Sequence, residues 1–185
     1  MKVKKSGLLI ALIVAAGAAL PTASFASDGT ITISGNIVPQ TCVPSGNGQG
    51  KDFTVTLPTV QVSALATDGA TAGRTPFNIA LTGCTPNIAG ASNAGVYFEP
   101  GATVDTTTGQ LINATGTATK VEVGLLNDDY SKINLGQGAT SQNVKMVSIS
   151  SGSATLNYYA QYVAKGGAAG AGTVQTTSLY TIIYQ

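Results

Sequence analysis

Covalent chemistry in this sequence rests on two side chains, Cys42 and Cys84. Two thiols can oxidise to a disulfide or take part in a metal site. There is no histidine, and two cysteines alone supply too few metal ligands. The sequence therefore predicts no metal and no cofactor. In an exported chain the pair predicts one disulfide. It would close a loop of about 40 residues, which in the chain-entropy model stabilises by about 4 kcal/mol.

No catalytic residue is predicted. Without histidine a Ser-His-Asp arrangement cannot be built. Asp128 and Asp129 are adjacent and would point to opposite faces of a strand; with Asn127 they read as a turn, and they lack the spaced ligand loop of a calcium site. Asp105, in a Thr-rich stretch, and Arg74, beside Gly73, read as solvated loop residues. Asn113-Ala114-Thr115 fits a glycosylation sequon, a short motif with many chance matches. Tyr158, Tyr159 and Tyr162 could form a sugar-binding face or sit half inside a core, the commoner arrangement.

Export is read from the first 26 residues. Lys2, Lys4 and Lys5 make a basic start, Leu8 to Leu20 an apolar core, and Ser24-Phe25-Ala26 a small-residue cleavage site. The apolar run is shorter than the roughly 20 residues a spanning helix needs, and it ends at Pro21. With the signal removed, six basic residues face eight acidic ones. That balance argues against nucleic acid, which favours a basic patch, and nothing later in the chain could span a bilayer. Charged residues make up 9% of the chain. A surface so poor in charge suits either a Thr/Ser/Asn-covered secreted domain or a protein covered by neighbours.

The elements that must position the cysteines are strands. No stretch sustains a helical period with caps. Short alternating runs recur between Gly/Pro/Asn/Asp clusters. They are Ile31 to Val38, Phe53 to Leu57, Val60 to Val62, Phe77 to Leu81, Gly95 to Glu99, Lys120 to Leu125, Ile133 to Leu135, Val144 to Ile149, Thr155 to Val163 and Leu179 to Tyr184. Gly166 to Gly172 is a loop before the last of them. This spacing favours a β-sandwich or barrel, without the buried Trp of immunoglobulin domains because the chain has no Trp. A last strand at the carboxyl terminus can leave an edge unpaired, a hazard that proteins usually cover. A spare strand at the other end of the chain could cover that edge in another copy. Such a contact is heterologous and propagates as a fibre.

The chain resembles structural pilins of the chaperone–usher pathway, close to the type 1 fimbrial major-subunit group. Several features carry the resemblance, spread over the chain after the signal. They are Gly29-x-Ile31-x-Ile33-x-Gly35 ahead of Cys42, Phe77-Asn78-Ile79-x-Leu81-x-x-Cys84, Ala118-Thr119-Lys120-Val121-x-Val123, Tyr159-Ala160-Gln161-Tyr162-Val163, Gly172 and penultimate Tyr184. It implies an all-β fold, an incomplete immunoglobulin-like β-sandwich lacking its final strand and completed by donor-strand exchange. A periplasmic chaperone would lend a strand and read Tyr180, Ile182 and Tyr184. At the outer-membrane usher, the next subunit's N-terminal extension would replace it. Gly29, Ile31, Ile33 and Gly35 match the donor residues, and Gly172 the glycine that opens the C-terminal motif.

The expected organisation is a signal peptide over 1–26, a donor-strand extension over 27–38 and a pilin domain over 39–185. With cleavage after Ala26 the outermost donor position would be Ser27, a weak apolar anchor. The expected function is a structural subunit of a surface fimbria, exported through the periplasm and polymerising with identical or related subunits. Adhesion and biofilm formation would belong to the whole fibre. A minor or adaptor subunit and a secreted lectin-like domain are the alternatives.

Overall fold

The computed structural model describes residues 31–35, 37, 42–85 and 90–185. The expected signal peptide, Gly29 and the junction at 38–41 lie outside the described residues. The chain divides into two units, Met1–Gly35 and Asn36–Gln185. In the first unit, Ile31 and Ile33 are 88% and 91% exposed, and residues 31–35 carry no strand pairing.

The second unit is all-β, with nine strands and no α-helix among the described residues. The strands are β1 (Val43–Gly46), β2 (Thr71–Thr82), β3 (Asn93–Phe98), β4 (Val104–Asp105), β5 (Gln110–Ile112), β6 (Val121–Asn127), β7 (Val147–Ser148), β8 (Ala154–Ala164) and β9 (Tyr180–Tyr184). One sheet has six strands in the order β1-β2-β8-β6-β5-β4, and the other has three in the order β7-β3-β9. Every described pairing is antiparallel.

Alternation sets the core. Phe77, Ile79 and Leu81 of β2 face inward, as do Leu156, Tyr158 and Ala160 of β8 and Val123 and Leu125 of β6. They meet Ala94, Val96 and Phe98 of β3 and the loop residues Ile133, Leu135 and Ile149. Tyr158 is the ring at the centre, 5.5 Å from Phe77 and 5.6 Å from Phe98. Cys42 and Cys84 are joined in a disulfide, S–S 2.11 Å, which ties the entry of β1 to the end of β2.

Several sequence expectations change. Val43-Pro44-Ser45-Gly46, not among the expected strands, forms an edge strand, a place where proline is tolerated. Gly46 is required there, because a Cβ would stand 2.0 Å from the Phe53 ring. Val62–Leu65 is a single 3-10 turn that buries Leu65, so the expected strand at 60–62 is absent. Arg74 lies in β2 next to a register shift at Ala72/Thr75, and is not a loop residue. Asp105 belongs to β4 and is ion-paired with Lys165, so it is not simply solvated. The Asn127-Asp128-Asp129 turn is present, closed by the Tyr130 amide donating to the Asn127 carbonyl at 3.0 Å.

Candidate assembly groove

The C-terminal residues run extended from 173 to β9, with inward and outward positions alternating. Val174, Tyr180, Ile182 and Tyr184 pack against the main core. In an extended chain, alternate residues turn their N–H and C=O to opposite edges. The amide of Asn93 donates to the carbonyl of Gln185 at 2.8 Å and the amide of Gln185 to that of Asn93 at 3.0 Å, so odd-numbered residues face β3. The same parity continues upstream. The carbonyl of Leu179 accepts from Glu99, that of Gln175 from Ala114, and that of Thr173 from Ala118. The even-numbered backbone groups of 174–184 therefore point to the other edge, where they have no hydrogen-bond partner among the described residues.

A second unpaired run packs on the same core. Phe53, Val55 and Leu57 turn inward while Thr54 and Thr56 stay exposed. The sequence reads this segment as a strand, and its alternation is that of a strand. Its backbone, however, bonds to no other backbone among the described residues. The Thr54 amide instead donates to Gln49 Oε1 at 3.3 Å. The two runs touch at one end, where the Phe53 and Tyr180 rings lie 6.2 Å apart and the Tyr180 hydroxyl donates to the Lys51 carbonyl at 2.7 Å. Burial raises the Tyr180 phenol above its ordinary value. Thr176 Oγ1, on the unpaired run, is buried with no hydrogen-bond partner.

The start of this run is clamped by two residues. A Cβ on Gly172 would stand 2.4 Å from the Ala118 nitrogen, so only glycine lets the two backbones cross there. Asn113 donates to the carbonyls of Ala118 at 2.8 Å and Thr173 at 3.1 Å. Its Oδ1 accepts from Gln175 at 2.8 Å and Gly116 at 3.1 Å. The sequon asparagine is thus a clamp whose side-chain amide is fully used.

The groove brings together Tyr180, Ile182 and Tyr184, with Gly172 at its entrance. Cys42 and Cys84 lie away from that run and tie β1 to β2 in the six-stranded sheet. Ile31, Ile33 and Gly35 belong to the other unit and are exposed. Sequence reasoning took Asn113 only as a sequon residue and missed its role as a clamp; it also missed the inward positions Val174 and Thr176, though the alternation Val174-x-Thr176-x-Ser178-x-Tyr180 was there to be read. It also missed Gln142, wholly buried, which donates to the Phe98 carbonyl at 2.6 Å and accepts from the Phe98 amide at 3.1 Å.

Compared with known proteins, residues 57–185 match the family described as type-1 fimbrial protein, A. The chain is 48% identical over 171 residues to the F17 fimbrial protein of Escherichia coli, covering 91% of this chain and 93% of that protein. It is 47% identical over 173 residues to the major fimbrial subunit SMF-1 of Stenotrophomonas maltophilia, covering 90% and 98%. Among solved structures, the P pilus rod subunit PapA superposes with a TM-score of 0.61 at 16% identity, over 79% of this chain and 100% of that one. A chaperone–usher pilus subunit superposes at 0.60 and 17% identity, over 86% and 96%. At such identities the superpositions speak to the fold, which is that of an immunoglobulin-like pilin.

Proposed function

We propose that this chain, which belongs to the type-1 fimbrial protein family and is a structural subunit of a pilus, polymerises by lending residues 27–38 to the groove of the next copy. One observation carries the reading: the even-numbered edge of 174–184 and the run at 53–60 are both unpaired above a common apolar core. A strand laid along that edge would bond with β9 and extend the three-stranded sheet.

The donor chemistry matches. Gly29, Ile31, Ile33 and Gly35 fall on one face of an extended segment. Ile31 and Ile33 would each contribute about 1.5–3 kcal/mol on full burial, and both are exposed in the isolated chain. The small faces at Gly29 and Gly35 allow close backbone approach. Because the donor end and the groove are different surfaces, the contact does not close and growth is linear.

Before assembly the same edge needs a temporary cover, which a periplasmic chaperone supplies by reading Tyr180, Ile182 and Tyr184, and the outer-membrane usher is where the exchange occurs. The mature subunit thereby passes through the periplasm to the cell surface. That the relative in Stenotrophomonas maltophilia is named a major subunit supports a shaft role over a minor one. Adhesion and biofilm formation are then properties of the fibre.

Replacing Ile31 and Ile33 together by Asp tests the reading. Sheared surface material from the parent should run unboiled as an SDS-resistant ladder that collapses on heating, while the variant should stay chaperone-bound and give monomer. Normal ladders from the variant would sink the donor assignment. Deleting Tyr184 and Gln185 should instead lower the periplasmic level of the subunit, and an unchanged level would count against the C-terminal reading.

A further inference from the structure

The outer face of the six-stranded sheet carries a separate concavity of about 350 Å³. Asn47, Pro76, Asn78, Asp128, Asn157 and Tyr159 are among its lining residues, none of which belongs to the groove. Asn78 of β2 and Asn157 of β8 stand opposite each other in register. Neither side-chain amide has a hydrogen-bond partner among the described residues, so both offer a donor and an acceptor.

One wall is aromatic and already braced. The Tyr159 ring lies 4.9 Å from that of Tyr130. The Arg74 guanidinium sits 4.4 Å from the Tyr130 centroid, and its Nε donates to Gln161 Oε1 at 3.1 Å. Stacking and the cation–π contact fix the wall before any ligand arrives. The rim carboxylate of Asp128 shares one cation with Asp129: the Lys145 amine lies 2.7 Å from the first and 2.9 Å from the second. The concavity thus offers paired amides, a carboxylate acceptor and a ring face; the one negative charge left on the Asp128–Asp129–Lys145 group is matched by the Arg74 guanidinium over Tyr130, so these groups together carry no net charge.

That set fits a ligand dense in hydroxyls, with an apolar C–H face and no net charge. We propose that the concavity is a subsite for a neutral saccharide, one or two pyranose rings in size, displayed once per subunit. Its volume is at the small end of ligand pockets, roughly 300–1,000 Å³. Weak binding at each subunit would sum along the fibre through multivalency.

The test uses fibres assembled from the full chain, exposed to surfaces bearing mannose, galactose, glucose, N-acetylglucosamine or sialylated conjugates. The expected result is retention on at least one neutral class. Asn157→Ala and Tyr159→Ala should each cut it about tenfold or more with fibre yield unchanged. Thr155→Ala, exposed on the same strand, should leave it intact. Saturation-transfer NMR of the unassembled subunit with the matching methyl glycosides should show the same loss, which separates this test from fibre formation. Retention on no neutral saccharide, on sialylated surfaces alone, or equally by the two variants would overturn the proposal.

Discussion

Ile79, wholly buried in β2 within the main core, shows what a single side chain holds. Ile79→Ala should cost about 2–5 kcal/mol, the range for a truncated core aliphatic, read from urea unfolding of the chaperone-free subunit. Gly172→Ala acts differently. Its Cβ would press on the backbone of Thr117 and Ala118 at 2.6 and 2.4 Å, and moving the Thr117 hydroxyl aside would not relieve those backbone contacts. It should destabilise by about 1–3 kcal/mol as overpacking does, and an unchanged midpoint would contradict the close approach. Ion pairs add a pH dependence. The hydrogen bond from Lys165, then those from Thr107, hold the Asp105 carboxyl well below the usual carboxylate range. Hydrogen bonds from Ser131 and Lys145 do the same for Asp129. Both carboxylates are ionised in the folded state at pH values where the unfolded chain binds protons. Their stabilisation is therefore complete above about pH 4 and is lost as pH falls further. Melting temperature should drop on acidification, and less steeply in Asp105→Asn. Lys165→Met should be worse than Asp105→Asn at neutral pH, because it strands Glu122, whose side chain is only 6% exposed, without its cation.

Among the elements, the C-terminal run has two unlike edges, and hydrogen exchange reads them separately. In the unassembled subunit the amides of Thr181 and Ile183 should be protected by β3, while those of Thr176, Tyr180 and Ile182 exchange quickly. In fibres all five should be slow. Protection of the even-numbered amides in the free subunit would mean that the edge is already paired. Much of this element was legible in the sequence, since Tyr180, Ile182 and Tyr184 alternate. The clean alternation of Phe53 to Leu57 was equally legible, yet alternation reports which face is buried, not whether a neighbour supplies hydrogen bonds. That is why the segment looks like a strand and lies unpaired. β1, β4 and β5 escaped notice because they are short and because Pro44 and Gly46 imitate a turn. Val60 to Val62 failed as a strand because the chain turns at Val62 to bury Leu65, a tertiary demand that local pattern does not carry.

For the whole molecule, the low charge and the bare edge both fit the proposal that copies of the chain cover one another. The disulfide was readable from export and cysteine count alone. Asn113 and Gln142 were not, because their partners are backbone groups far away in sequence, such as Thr173 and Phe98. The groove is a property of two unpaired runs meeting at Phe53 and Tyr180, and only the fold brings those together. Its occupant can be tested by joining residues 27–38 to the C-terminus of the subunit through a flexible linker and measuring the thermal midpoint of the purified monomer. The account predicts a large upward shift, abolished when the appended copies of Ile31 and Ile33 are Asp, with loss of polymerisation. A midpoint that does not move, or moves equally with the Asp-bearing tail, would contradict strand donation as the way these subunits join.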